Sequence, residues 1–85
     1  MSKIKHMTYN GRRIEYMFNP IDTSDTIVFY NHEMYSFGHG MVSASSLYHF
    51  VDMIRLYDEF REGHKMSKYY SDEEIATIKK LARSK

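Results

Sequence analysis

The sequence predicts an α+β fold: a small antiparallel sheet of three or four strands, opened by an N-terminal hairpin and packed by a long helix and a shorter C-terminal helix. Three observations carry this. Asn10-Gly11 stands between two strand-like runs and is the strongest short signal for a two-residue type I′ turn. Thr26 to Tyr30 is almost wholly β-branched and aromatic. From Ser43 to Glu62, Leu47, Phe50, Val51, Met53, Ile54, Tyr57 and Phe60 recur at spacings of three and four, the period of an amphipathic helix whose apolar stripe must be buried. A helix laid on a small sheet buries both surfaces.

Taken in order, Lys3 to Phe18 reads as a hairpin. With Asn10-Gly11 as its loop, Tyr9 pairs with Arg12, Thr8 with Arg13, Met7 with Ile14, His6 with Glu15, Lys5 with Tyr16 and Ile4 with Met17. Met7, Ile14, Tyr16 and Phe18 then line a core face, while His6, Glu15, Thr8 and Arg13 form solvent-side pairs. Asn19-Pro20 ends the second strand, since proline cannot donate to a ladder. Ile21 to Asp25 is a polar connection in which Asp22, Ser24 and Asp25 bond local amides. Thr26 to Tyr30 lacks polar alternation, so it is expected as an interior strand covered on both faces, or one whose second face meets a partner. Asn31-His32-Glu33 is a turn and Met34 to Phe37 a fourth strand. Gly38-His39-Gly40 makes a corner into the long helix.

That helix is expected over about residues 44–62, with Ser43 or Ser45 as N-cap and Gly63 as its stop. Its outer side carries Asp52, Asp58, Glu59 and Glu62, with Arg55 placed to pair with Glu59. Acids at its C-terminal end have the wrong sign for the macrodipole, a small penalty that Lys65, Lys68 or a partner would offset. Ser71-Asp72-Glu73-Glu74 matches a capping box and opens a helix over 71–84, with Ile75, Ile78, Leu81 and Ala82 on one side and Lys79, Lys80 and Arg83 on the other. The whole, residues 1–85, is read as one domain with its strands in 3–37.

Composition narrows the class. The absence of cysteine excludes disulfides and thiolate metal sites, and it fits a reducing, cytoplasmic setting. No apolar run approaches the roughly 18 residues of a membrane span, so no membrane partner is expected, and Met1 to His6 has no signal-peptide core. The net charge of +1 hides a division: residues 1–13 sum to +4, residues 14–62 to −6 and residues 63–85 to +3. Such a chain is able to present a basic face to phosphate or to an acidic partner.

The candidate binding residues are two basic clusters interleaved with aromatics. One is Lys3, Lys5, Tyr9, Arg12 and Arg13; the other is Lys65, Lys68, Tyr69, Tyr70, Lys79, Lys80 and Arg83, with Lys85 beyond it. Lysine and arginine neutralise phosphates and tyrosine rings stack on unpaired bases, so RNA is one expected partner. His6, His32, His39, His49 and His64 contain no recognised metal-ligand pair, although convergence of His32-Glu33 with His39 across the third and fourth strands would make a weak metal or hydrolytic site. No phosphate-binding glycine loop and no nucleophile elbow are present. A non-catalytic protein without cofactor or metal is the expectation, and a small histidine-dependent metalloenzyme or nuclease is an alternative.

Small, cysteine-free, rich in its eight tyrosines and seven methionines, with short strands before helices, the chain resembles the small early proteins of T-even-type bacteriophages. Several of these block host or defence proteins, and TifA-type inhibitors of an RNA-cleaving toxin are among them. The resemblance is one of overall character, rests on no motif and assigns no residue. It implies a counter-defence, antitoxin-like binding protein of the host cytoplasm that inhibits a host or toxin protein, with RNA bridging the two. A homodimeric interaction module, joined through the aromatic strand and the long helix, is the competing class.

Overall fold

A computed structural model describes residues 3–38 and 43–83. Four strands, β1 (Lys5–Tyr9), β2 (Arg12–Phe18), β3 (Thr26–Tyr30) and β4 (Glu33–Gly38), form one antiparallel meander in chain order. The first hairpin has the expected register, with Met7 opposite Ile14 and His6 opposite Glu15. Asn10 and Gly11 both take positive φ, as a type I′ turn demands. Asn31 and His32 do the same between β3 and β4, where Tyr30 pairs with Glu33.

Helices cover the sheet from both sides, which makes the sheet the middle of three layers. On one face α1 (Ala44–Leu56) and α2 (Asp58–His64) pack Leu47, Phe50, Val51, Ile54 and Phe60 over Ile14, Val28 and Tyr35. On the other, α3 (Asp72–Ala82) sets Ile78 and Ala82 over Met17, Ile27 and Met34, joined by Met66 from a 3₁₀ turn, Met66–Lys68. β3 therefore contributes alternate residues to two cores: Val28 to the first and Ile27 to the second. This is why it lacks polar alternation, and its second face meets α3 rather than a partner chain.

The hairpin's second face is accordingly not all solvent. His6, Thr8, Arg13 and Glu15 are exposed, but Met17 is fully buried beneath α3 and Ile4 packs beside it. Phe18, expected in the core, is 52% exposed. It lies at the strand end beyond the cluster under α1, edge-on to Tyr16 and beneath the Lys5 ammonium.

The predicted helix over 44–62 is in fact two helices. Tyr57 adopts an extended conformation, φ −124° and ψ 113°, and separates α1 from α2. The break removes the charge conflict for Asp58 and Glu59, which now occupy the first turn of a new helix, where the macrodipole favours acids, while Glu62 stays in its last turn and is paired with Lys65. Arg61 reaches back across the break. Its Nε donates to the Ile54 carbonyl at 2.8 Å and its Nη2 to the Arg55 carbonyl at 3.3 Å, satisfying acceptors that the end of α1 leaves open. Phe60 is thereby turned onto Phe50, with ring centroids 5.4 Å apart. Arg55 pairs with Asp52 at 3.1 Å and not with Glu59, since the break carries Glu59 out of helical register.

Ser43 caps α1 and Ser71 caps α3, each through a capping box, with Ser46 and Glu74 as the reciprocating residues. The expected helix over 71–84 is described as far as Arg83, its C-cap. Residue 84 lies outside the described residues, as do His39 and Gly40 of the glycine corner.

A polar knot joins three segments beside the second core. The Asp25 side chain, 3% exposed, accepts from Ser36 Oγ (2.9 Å), the Gly38 amide (2.9 Å), Tyr70 Oη (3.1 Å) and Asn19 Nδ2 (3.3 Å). Asn19 also donates to Tyr70 Oη at 2.8 Å. Its own carbonyl oxygen accepts from the Ile21 and Asp22 amides, shaping the turn after β2.

Two expected outcomes test these contacts. Replacing Arg61 by alanine exposes the end of α1 and is expected to cost about 1–2 kcal/mol in urea denaturation. The second outcome concerns alkaline pH. Burial pushes the Tyr70 hydroxyl up to about 12, aided by the charge and hydrogen bond of Asp25, and burial with Glu33 does the same for Tyr35. An unfolded tyrosine loses its proton near the ordinary value of 10.0. The folded state thus keeps protons that the unfolded state has lost, so this contribution to stability is whole below pH 10 and disappears as pH rises through about 12. Thermal melts across that window are expected to fall more steeply for the native protein than for Tyr70→Phe.

Candidate nucleic-acid interface

Strand alternation divides the basic hairpin. Arg12 and Arg13 are neighbours in sequence, so their side chains leave opposite faces of β2. Arg12 goes to the α1 side, where its Nη1 bonds Asp52 at 2.8 Å and its guanidinium lies 5.2 Å from the Tyr48 ring centroid. Arg55 donates to the same Asp52 oxygen, and these hydrogen bonds hold the carboxyl below its ordinary value. Tyr9 stacks at a tilt on Tyr48, 5.0 Å between centroids. This cluster is internally satisfied.

Arg13 goes to the α3 side, and there it meets the tail. A groove of about 650 Å³ runs between the sheet and α3, lined by Ile4, Arg13, Glu15, Phe29, Tyr30, Asn31, His32, Met34, Lys79, Ala82 and Arg83. Lys79 and Arg83 are four residues apart and so share one side of α3. Three cations face one carboxylate, over a floor of Ile4, Phe29 and Met34. Among the described residues, Arg13, Lys79 and Arg83 make no ion pair. By contrast, Arg12, Arg55, Arg61 and Lys65 are each bound to an acid within 3.1 Å.

The other expected binding residues lie elsewhere. Lys3 is exposed and its amide donates to the Ala82 carbonyl at 3.3 Å, close to the groove. Lys5 stands 5.8 Å above the Phe18 ring. Lys65 bonds Glu62 at 3.0 Å, a contact that raises its pKa, and its backbone bridges to Tyr35 on the open edge of β4. Lys68 and Lys80 are exposed and outside the groove lining. Tyr70 is committed to Asn19 and Asp25. Tyr69 is 60% exposed, with its hydroxyl on the Gly63 carbonyl at 2.6 Å. Both tyrosines border a second hollow of about 470 Å³ that also holds Asp22 and Asp25, so they face carboxylates and not cations. Lys85 lies outside the described residues.

Glu15, Phe29 and Tyr30 were not legible as site residues, and His32 stood out only as a candidate metal or hydrolytic residue. Glu15 lies directly across from Phe29 in the β2–β3 register, a relation that only strand pairing shows. The four described histidines lie apart, and His39, expected to converge with His32 and Glu33, lies outside the described residues. His6 Nε2 is 3.9 Å from Glu15, His32 lies in the groove, His49 is exposed, and His64 stacks on Phe60 at 4.1 Å. No group of three or more metal-ligating side chains occurs among the described residues. No helix among them is long and apolar enough to cross a membrane.

Comparison with protein-family models, with curated proteins and with solved structures gives no match.

Because the groove cations hold nothing in the folded chain, Arg13→Ala and Lys79→Ala are each expected to change stability by less than about 0.5 kcal/mol. Arg12→Ala, which removes an ion pair and a cation–π contact, is expected to cost about 1 kcal/mol. Parallel chemical denaturation of the three variants checks the contrast.

Proposed function

We propose that this is a small non-catalytic binding and regulatory protein, of the phage-inhibitor kind that acts in the host cytoplasm on a host or toxin protein, and that the groove beside α3 holds single-stranded RNA in that action. The observation that carries the reading is the segregation of cations. Arg12, Arg55, Arg61 and Lys65 on the α1–α2 side are paired with acids, while Arg13, Lys79 and Arg83 line one groove and, among the described residues, make no ion pair. Like charges that share one groove without acid partners attract an anionic ligand.

RNA suits the groove for two further reasons. Phe29 and His32 supply rings beside the cations, and unpaired bases stack on such rings. A cleft of about 650 Å³ is of the size that takes small-molecule ligands, which corresponds to one or two nucleotide units and not to a duplex. Single strands and loops present such units splayed out.

Fluorescence anisotropy with a labelled, mixed-sequence single-stranded oligoribonucleotide tests the reading. Three neutralised phosphates give an expected slope of about −2 for log affinity against log salt. The double charge reversal Arg13→Glu with Lys79→Glu is expected to weaken binding by about tenfold or more. Absence of binding, or an affinity indifferent to salt, would sink the proposal.

A further inference from the structure

We infer that Glu15 reads the base that the groove holds, selecting guanine over uracil. This rests on the RNA reading above and adds a specificity to it. A carboxylate is out of place in a phosphate-binding groove unless it has a task, because it cancels part of the attraction. The ordinary task would be to neutralise a neighbouring cation. Glu15 makes no ion pair with Arg13, Lys79 or Arg83. Its nearest charged partner is His6, at 3.9 Å, beyond hydrogen-bond range and charged only when protonated. With about half of the side chain exposed, the carboxylate keeps its acceptor sites open toward the groove.

The geometry supplies what base reading requires. Glu15 on β2 is the direct cross-strand partner of Phe29 on β3, so their side chains leave the same face of the sheet side by side. Both line the groove. A base stacked on the Phe29 ring would turn its edge toward the Glu15 carboxylate, and Arg13, two residues from Glu15 on the same face, would meet the adjoining phosphate.

The chemistry then decides among the bases. An ionised carboxylate only accepts hydrogen bonds. Guanine presents N1–H and an N2 amino hydrogen next to each other, a donor pair that matches two carboxylate oxygens. Uracil presents two carbonyl oxygens flanking one N–H, and those oxygens face the carboxylate with like partial charge. Adenine and cytosine each offer a single amino group on that edge and fall between.

The experiment compares two labelled single strands of equal length at one salt concentration, an oligouridine and the same strand carrying isolated guanosines. The native protein is expected to bind the guanosine strand about fivefold or more tightly. Glu15→Gln, at an exposed site where folding is checked by circular dichroism, is expected to bring the ratio close to one without weakening the uridine strand. Arg13→Glu is expected to weaken both strands alike. Equal affinities in the native protein, or a guanosine preference that persists in Glu15→Gln, would overturn the role of Glu15 and leave the RNA-binding groove standing. If neither strand binds in a salt-dependent way, both the groove reading and the Glu15 assignment fall together.

Discussion

One buried carboxylate ties this small domain together. Asp25 directly precedes β3, and its oxygens collect donors from β4, from the turn after β2 and from the segment entering α3. A carboxylate removed from water is stable only when such donors replace the solvent. Among the described residues no cation pairs with it; the hydrogen bonds alone carry that burden. The consequence is geometric. Tyr70 sits immediately before the Ser71 cap, so the hydrogen bond from Tyr70 to Asp25 sets where α3 starts on the sheet. Where α3 lies decides where Lys79 and Arg83 stand relative to Arg13. A contact at one end of the second core thus positions the wall of a groove at the other.

Much of this architecture is encoded locally. Asn10-Gly11 dictates both the turn and, through the fixed loop length, every pair in the first hairpin. The unbroken Thr26–Tyr30 run reports that β3 is buried on two sides, and the two serine caps mark the helix starts. The division at Tyr57 was hidden because the apolar spacing continues through it and neither glycine nor proline announces it. What enforces it is the reach of Arg61 to the Ile54 carbonyl and the packing of Phe60 on Phe50, both tertiary events. Read backwards, the acids Asp58 and Glu59 were the signal: at a helix end they conflict with the dipole, at a helix start they agree with it.

The groove was legible only in its ingredients. Arg13, Lys79 and Arg83 all stand out as bases, yet proximity in sequence groups Arg13 with Arg12, and Lys79 with Tyr69 and Tyr70. Folding regroups them. Pleating sends Arg12 to Asp52 and Tyr48, and Tyr70 turns inward to Asn19 and Asp25. The groove's cations come from strand and helix faces more than sixty residues apart in the chain. No periodicity or spacing encodes that meeting.

The placement of α3 has a consequence for timing. The four strands follow one another in space as they do in sequence, so the sheet is built from local hairpins that close with little loss of chain entropy. The helix that covers Met17, Ile27 and Met34 follows all four strands in the chain. Until it docks, the groove has one wall, carrying Arg13 and Glu15, and lacks the one carrying Lys79 and Arg83. A ligand that touches both walls therefore binds only the docked form and holds α3 in place by mass action. For such a ligand, occupancy and completion of the fold would be two readings of a single equilibrium.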